Sequence, residues 1–296
     1  MKIRNFIKSI RYFLEVLIVK FGFFLFQTLG LKNSSNFASF LARFVGKKLK
    51  VNNLARSNIT KSLPTLSTDK VEEVLNGMWD NLGRIIGEFI FVSKFSGAEL
   101  VKYTTLDQES EINISDIKKN FKGGIIFSAH IGNWEIGPKT LIELGLNVKT
   151  VYRPLNNKIV DKMTSQIRGV EMIPKSTKGN KQIIEEIKKG NYVVILADQK
   201  ISDGSPIPFF GRPALTTTSI AKLALKYNVP LIPARSIREG HQFKFMVRVE
   251  KPLEVEKLDN TNDSVLALTI KINQKLEEWI TQYPNQWFWV HNRWKK

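Results

Sequence analysis

The stretch that decides the fold is residues 124–137, which read GIIFSAHIGNWEIG. Its first six residues form a short apolar run of the kind that is typical of a buried strand. We expect the strand to end near His130, the chain to turn at Gly132, and a helix to begin near Asn133, a good N-cap residue. Open α/β sheets bind ligands at the carboxyl ends of their strands, so His130 lies where such folds carry out chemistry.

The chain after this stretch repeats the alternation of short apolar runs and helical patterns. Apolar runs occupy residues 148–152, 192–197 and 229–234, and helical patterns occupy residues 134–144, 158–167, 181–188 and 215–227. This alternation predicts an α/β fold with a mostly parallel central sheet flanked by helices. Residues 242–249 alternate apolar and polar side chains, which predicts a half-exposed antiparallel strand, and a last helix is expected over residues 265–280.

The part of the chain before residue 95 has helical patterns. Apolar residues recur at helical spacing from Val71 to Met78 and onward to Phe89, and Ser67 lies where an N-cap is expected. No break in composition demands a separate domain. We therefore predict an N-terminal membrane-anchor helix over residues 1–32, followed by a single α/β domain over residues 33–296 whose N-terminal part is helical.

The apolar segment at residues 12–31 has about the 20 residues needed to cross a bilayer, and it is too long for the apolar region of a signal peptide. Glu15 and Lys20 oppose spanning, because a charge at the bilayer centre costs roughly 2.5–3.5 kcal/mol. Basic residues flank both ends, so the positive-inside rule gives no orientation, whereas a helix lying in the interface fits both flanks. Spanning and interfacial attachment both stay open, and the dense aromatic run at residues 21–26 disfavours a buried core helix.

The composition of the 296-residue chain excludes several classes of protein. Hydrophobic residues make up 43% and charged residues 24%, which rules out a disordered or collagen-like chain. The absence of cysteine rules out disulfides, thiolate metal sites and cysteine nucleophiles. The net charge of +18, from 45 basic and 27 acidic residues, favours an anionic partner: nucleic acid, anionic lipid, a phosphorylated substrate or an acidic carrier protein.

The motifs narrow the chemistry further. Neither GxGxxG nor GxxxxGK[ST] occurs, so a dinucleotide or P-loop nucleotide site has no support. There are three histidines and no HExxH pair, so we expect no metal site.

His130 and Glu135 are the candidate catalytic residues. With His130 in the turn and Glu135 in the first helical turn, the carboxylate can fold back onto the imidazole. A carboxylate on one ring nitrogen fixes the tautomer, and the other nitrogen can then take a proton from a hydroxyl, which makes a general base without a protein nucleophile. The alternative is purely structural, a histidine at a strand end and a glutamate at a helix start. The strand-end position of His130 favours the catalytic interpretation.

Several polar residues follow other predicted strands and helices. Arginines there suit a phosphate or carboxylate through paired hydrogen bonds. Surface solvation is the usual explanation for any single one, whereas several arginines that converge on strand ends favour a binding site. The candidate substrate-binding residues are Asn133, Arg153, Arg168, Asp198, Gln199 and Arg212.

A set of ordered motifs across nearly the whole chain resembles one family. The motifs are SAHIGNWEIG (128–137), VYRPLNN (151–157), QIRG (166–169), ADQK (197–200), FFGRPALTTTS (209–219), VPLIPA (229–234) and the tail QWFWVHNRWK (286–295). Together they resemble the bacterial lipid A late acyltransferases, the lauroyl/myristoyl acyltransferases within the wider lysophospholipid acyltransferase superfamily. The His-x4-Glu spacing alone is a weak signal, whereas the ordered set is strong.

The resemblance implies transfer of an acyl chain from acyl carrier protein to a hydroxyl of a lipid A precursor, at the cytoplasmic face of the inner membrane. The family's His-x4-Asp/Glu motif falls on His130 and Glu135, and its other site positions fall on Arg153, Arg168 and Asp198. No metal or dissociable cofactor is expected. The tail matches the family, but the resemblance implies no role for it. Enzymes that acylate glycosylated phosphatidylinositol and other lipids share this pattern, so the motif does not name the acceptor.

Two alternatives come from other functional classes. A nucleic-acid-binding protein is permitted by the charge and the six tryptophans, yet the basic residues are spread along the chain and no recognised nucleic-acid-binding motif appears. A non-catalytic membrane-surface scaffold would bind anionic lipid and tolerate changes at His130 and Glu135. The acyl chain length, the acceptor and the oligomeric state are not determined by the sequence.

Overall fold

A computed structural model of the protein describes residues 2–201, 203–254 and 261–294, with side chains from Phe6 onward. Lys295, the last residue of the tail motif, therefore lies outside the described residues. The helices are α1 (Lys2–Gly46), α2 (Lys50–Ser62), α3 (Thr68–Glu88), α4 (Ala98–Val101), α5 (Gln108–Asn120), α6 (Ile136–Glu143), α7 (Lys158–Arg168), α8 (Thr177–Lys188), α9 (Ser219–Tyr227) and α10 (Thr261–Gln282), with 3₁₀ segments at Phe89–Lys94 and Pro284–Gln286.

A seven-stranded sheet forms the centre of the protein. Its strands are β1 (Thr104–Thr105), β2 (Gly124–Ser128), β3 (Val148–Tyr152), β4 (Glu171–Pro174), β5 (Tyr192–Leu196), β8 (Leu231–Arg238) and β9 (Phe245–Val249), and a separate hairpin contains β6 (Ser205–Phe209) and β7 (Arg212–Thr216). The order is β1-β9-β8-β2-β5-β3-β4, and within the sheet only the β8–β9 pair is antiparallel. The predicted α/β class, the mostly parallel sheet and the antiparallel strand near the end are confirmed.

Strand β2 lies at the heart of this sheet because its residues are apolar on both faces. Ile125 and Phe127 pack into the larger core, which includes helices α3, α9 and α10, and Ile126 packs on the opposite face with residues of α5 and α6. Successive side chains of a strand point to opposite faces, so a strand covered on both sides is a continuous apolar run. This is why GIIFS is a reliable strand signal.

The fold differs from the sequence prediction in several places. The helix expected over residues 215–227 begins only at Ser219, because residues 212–216 instead form β7 of the hairpin, which turns at Phe210 and Gly211, both with positive φ. Strands β1 and β4 were not predicted. Each has at most four residues and a partly exposed pattern, so neither produces a detectable hydrophobic period.

Helix α1 runs through the predicted domain boundary at residue 32. Its backbone departs from helical geometry at Gly30 (φ 74°, ψ 167°), and the part after this kink packs closely against α3. The approach depends on glycine: a Cβ at Gly83 would lie 2.5 Å from Cα of Ser39, and a Cβ at Gly87 would lie 2.3 Å from the carbonyl oxygen of Ser34. The two backbones therefore touch where α3 has no side chains.

We expect Gly83→Ala to lower the free energy of unfolding by about 1–3 kcal/mol, because the added methyl group overlaps the backbone of α1. Gly22→Ala is the matched control, since a Cβ at Gly22 meets nothing within 4 Å and alanine is the better helix former. Denaturant unfolding of both variants in detergent solution measures the difference. Equal stability of the two variants would contradict the close α1–α3 packing.

Candidate active site

A cleft opens where the carboxyl ends of β2, β3, β4 and β5 meet, as expected for a parallel sheet. It has a volume of about 220 Å³. Five of the candidate residues are close to it: His130, Glu135, Arg153, Arg168 and Gln199 line the cleft. A larger cavity of about 530 Å³ shares Gln199 and Lys175 with the cleft and extends toward the starts of α8 and α9.

His130 is held by Asp198, which follows β5. The backbone N–H of His130 donates to Oδ2 of Asp198 at 2.8 Å, and Nδ1 of the ring lies 2.8 Å from Oδ1. Burial alone would raise the pKa of this fully buried carboxyl, but the charge and hydrogen bonds of His130 outweigh it and hold the pKa of Asp198 well below its ordinary value. An ionised carboxylate only accepts hydrogen bonds, so Nδ1 carries the proton.

The other ring nitrogen of His130 points to the cleft. Its side chain is 13% exposed, and Nε2 lies 3.2 Å from the amide nitrogen of Gln199. With the proton on Nδ1, Nε2 has a free lone pair that accepts from this amide. The geometry is therefore that of an imidazole with one nitrogen fixed by a carboxylate and the other open to a ligand in the cleft.

Glu135 does not contact the imidazole, so the partner predicted for it is wrong. Its carboxylate instead forms a forked ion pair with Arg168, with Nε to Oε2 at 2.9 Å and Nη2 to Oε1 at 3.1 Å. The physical reason is local: α6 begins at Ile136, three residues later than expected, and the turn before it directs Glu135 toward α7. The catalytic importance of Glu135 stays a prediction.

Asn133 was predicted to bind substrate, but the structure buries it completely. Its Nδ2 donates to Oε2 of Glu88 at 3.1 Å, and its Oδ1 accepts from the backbone N–H of Glu135 at 3.1 Å. Both ends of the amide are thus used within the protein. The side chain shapes the loop rather than facing the cleft.

The loop after β2 rests on a buried ion pair between α3 and β8. Both nitrogens of the Arg238 fork donate to Glu88 at 2.7 Å, and the hydroxyl of Ser35 on α1 donates to the same carboxylate at 2.8 Å. Gly132 has a φ of 57°, and a Cβ there would lie 1.7 Å from the carbonyl oxygen of Ser236 on β8. The turn is therefore pressed against β8 and admits only glycine.

The C-terminal tail forms the back of the site, a role that the sequence prediction missed. Trp287 forms an isolated antiparallel bridge with Ile131, and the N–H of Phe288 donates to the carbonyl oxygen of His130 at 3.1 Å. The indole N–H of Trp287 donates to Oδ2 of Asp198 at 2.8 Å. The tail motif was visible in the sequence, but nothing in it indicates which residues it contacts.

His291, also in the tail, packs edge-on against His130 with ring centroids 4.9 Å apart. Its Nε2 is buried without a hydrogen-bond partner, and burial lowers the pKa of His291 to about 4. One ligand atom from each of His130, Asp198 and His291 lies within 4.8 Å of the others, so these three are the described residues that could hold a metal ion. Because Asp198 is already occupied by three hydrogen-bond donors, the cluster fits an oriented base better than a metal site.

The remaining candidates divide into two groups. Arg153 and Gln199 line the cleft as predicted, next to Lys175, whose pKa is lowered by burial and by the charge of Arg153. Arg212 lies away from the cleft, which corrects its assignment to the site. Its guanidinium donates to the hydroxyl of Ser62 and stacks 3.9 Å from the ring centroid of Trp294, because the β6–β7 hairpin carries it to the side of the sheet.

Comparison with known proteins agrees with the motifs. The family profile described as bacterial lipid A biosynthesis acyltransferase matches residues 2–296. Phosphatidylinositol mannoside acyltransferase from Mycobacterium tuberculosis (strain ATCC 25618 / H37Rv) is 25% identical over 181 residues, 58% of this chain and 54% of that protein. Lipid A biosynthesis palmitoleoyltransferase from Escherichia coli (strain K12) is 22% identical over 248 residues, 82% of this chain and 78% of that protein. The chain thus matches only about half the length of the mycobacterial relative, and the resemblance drawn from the motifs is confirmed.

The buried His291 should make stability depend on pH in a defined window. The unfolded chain binds a proton near the ordinary pKa of 6.5, whereas folded His291 binds one only near its pKa of about 4. Between these values the unfolded state holds more protons, so the free energy of unfolding falls as the pH falls.

We expect His291→Phe to remove this loss, which amounts to roughly 1–3 kcal/mol across the window. Denaturant unfolding from pH 4 to pH 7 measures it. His241→Phe, which changes an exposed imidazole, is the matched control and should keep the wild-type slope. An unchanged slope in His291→Phe would mean that His291 titrates normally in the folded protein.

Proposed function

Because the chain belongs to the bacterial lipid A biosynthesis acyltransferase family, we propose that it transfers a fatty acyl chain from an acyl thioester to a hydroxyl of a lipid A precursor. The donor is acyl carrier protein, and the reaction takes place at the cytoplasmic face of the inner membrane. No dissociable cofactor is needed, because a thioester is already an activated acyl group. The single observation that carries this proposal is the His130–Asp198 pair at the open end of β2.

The chemistry follows from that pair. Nε2 of His130 takes the proton of the acceptor hydroxyl while the oxygen attacks the thioester carbonyl. Asp198 stabilises the imidazolium that forms. The tetrahedral intermediate then collapses: the carbon–sulfur bond breaks, the ester remains, and the imidazolium returns its proton to the departing thiolate. Gln199, whose amide contacts Nε2, gives way to the hydroxyl.

Glu135 has a different role from the one predicted. Its ion pair with Arg168 holds the guanidinium at the wall of the cleft, 5.4 Å from the ring centroid of Phe89. Arg168, Arg153 and Lys175 then place positive charge around the space beside His130. These groups are suited to the phosphate of a lipid headgroup, and the net charge of +18 attracts an acidic carrier and an anionic leaflet.

A narrow apolar pocket adjoins the cleft between the sheet and α6. The two share the side chains of Trp134 and Pro138, and the pocket continues past Ile126, Leu141 and Val247. Trp134 packs edge-on against the ring of His130 with ring centroids 5.0 Å apart, and an apolar wall beside the imidazole is suited to an acyl chain whose thioester carbonyl lies at the histidine. The pocket has a volume of only about 20 Å³, room for about one water molecule, so an acyl chain must displace its walls to enter it, while the charged part of the substrate stays in the cleft.

A second candidate acceptor is a glycosylated phosphatidylinositol. The relatives that suggest it are the mycobacterial phosphatidylinositol mannoside acyltransferases, at 24% and 25% identity. Both kinds of acceptor are phosphorylated glycolipids, so the same cations would bind their phosphates. Donor and acceptor are therefore decided by a direct assay.

We expect the purified protein to acylate a lipid A precursor when it is given acyl carrier proteins of different chain length, with coenzyme A thioesters and phosphatidylinositol mannosides tested in parallel. Mass spectrometry of the lipid reads the added chain. His130→Ala should lower the rate by roughly 10²–10⁴-fold, whereas His241→Ala, which changes an exposed histidine, should leave it unchanged. Wild-type transfer by His130→Ala would refute the mechanism.

The two carboxylates should differ in their effect on the pH–rate profile of kcat/KM. Asp198→Asn removes the negative charge that faces Nδ1 of His130. It should therefore move the pKa of the catalytic base to lower pH and cause a large loss of rate. Glu135→Gln acts through Arg168, so it should lower the rate without moving this pKa. A shift caused by Glu135→Gln, with none caused by Asp198→Asn, would restore Glu135 as the partner of the imidazole.

A further inference from the structure

Helix α1 contacts the rest of the protein along one stripe that continues on both sides of the Gly30 kink. Near its start, the amide of Asn157, the N-cap of α7, donates to the carbonyl oxygen of Tyr12 at 2.9 Å and to Glu15 at 3.1 Å. Val16 is buried, and Phe23 packs against the ring of Phe89. The stripe continues after the kink with two adjacent pairs of buried residues that are four positions apart, Ser34 and Ser35, then Ala38 and Ser39.

The opposite face of α1 is apolar and exposed. Before the kink it consists of Phe6, Ile7, Ile10, Phe13, Leu14, Leu17, Ile18, Phe21 and Phe24; after it, of Phe37, Phe40, Leu41, Phe44 and Val45. We call these fourteen residues the outer face of α1. Among the described residues, α1 is the helix long and apolar enough to cross a membrane, yet its exposed apolar residues extend over roughly 40 positions on both sides of the kink, about twice the 20 residues that one crossing needs.

The contacts of the inner stripe oppose a spanning orientation. If residues 12–26 stood across the bilayer, α7 would have to enter the hydrocarbon with them, because Asn157 binds Tyr12 and Glu15. That end of α7 carries Lys158, Asp161 and Lys162, and charged side chains in the hydrocarbon are costly. A helix that keeps these contacts must lie beside the α/β domain, not beyond it.

We infer that α1 lies in the plane of one leaflet, with its outer face in the lipid and its inner stripe on the α/β domain. Exposed cations on α1 and directly after it are placed to meet anionic headgroups: Lys8, Arg11, Lys20 and Lys32 on the helix, and Lys47, Lys48 and Lys50 after it. The exposed side chains of Leu155 and Ile159 lie on either side of Asn157 and extend the apolar surface toward Arg153 at the cleft.

This orientation places the N-cap of α7, four residues after Arg153 of the cleft, near the membrane surface. It does not depend on the proposed acyl transfer, because the position of a helix in lipid is measured without turnover. The proposed acyl transfer and the proposed position of α1 can therefore be refuted independently. An inactive protein can still lie in the interface, and an active protein can still have a spanning helix.

The absence of cysteine allows a direct test with single-cysteine variants of the full chain. Lys8→Cys marks the start of α1, and Lys119→Cys on exposed α5 marks the domain and serves as the matched control. We expect a membrane-impermeant maleimide to label both from the same side, in inside-out vesicles and not in intact spheroplasts. Labelling of the two from opposite sides of the membrane would overturn the inference.

A depth measurement tests the outer face itself. Nitroxide labels at Phe13→Cys, Phe21→Cys and Phe40→Cys, in vesicles of phosphatidylethanolamine and phosphatidylglycerol, are compared by their exposure to oxygen and to a water-soluble nickel complex. An interfacial helix gives all three a similar shallow depth of roughly 5–10 Å. A spanning helix would instead place the label at Phe21 near the bilayer centre and the label at Phe40 in water. The label at Phe40 would then be as accessible to the nickel complex as a label at Lys119.

Discussion

The buried ion pair between Glu88 and Arg238 connects more of this protein than any other contact described above. Glu88 accepts from the guanidinium, from Ser35 of α1 and from Asn133 of the loop that follows β2. An unpaired charge in such an interior costs about 3–5 kcal/mol, whereas a pair with every lone pair satisfied can persist. This ion pair therefore connects the helical N-terminal part, the sheet and the loop that carries His130. A shift of one of these parts displaces the others.

The active-site geometry follows from this anchor and from the strand order. β5 lies next to β2, so the residue after β5 reaches the residue after β2, and Asp198 meets His130 although 68 positions separate them. The tail closes the arrangement from behind through Trp287. Glu135, only five residues from His130, is directed away by the turn and pairs with Arg168. Nearness in the sequence is thus a poorer guide to the partner of a side chain than adjacency in the sheet.

The N-terminal helix shows how much an amphipathic pattern leaves undecided. Its composition indicates lipid, and the cost of Glu15 in the hydrocarbon argues against spanning, but neither shows which side of the helix meets protein. Tertiary contacts resolve this, because Glu15 lies on the inner stripe with Asn157 as its partner. The charge of Glu15, which is unfavourable in a membrane helix, is explained by its contact with the α/β domain.

By itself, the sequence determined the alternation of strands and helices, the central place of GIIFS, the antiparallel strand near the end and the position of His130 at a strand end. These depend on hydrophobic period and local backbone preference, which a few neighbouring residues encode. Only the tertiary structure decided that Asp198 holds the imidazole, that Asn133 is buried, that Arg212 lies away from the cleft and that the tail backs the site. Each of those depends on which strands become neighbours, a choice made by the packing of the whole core.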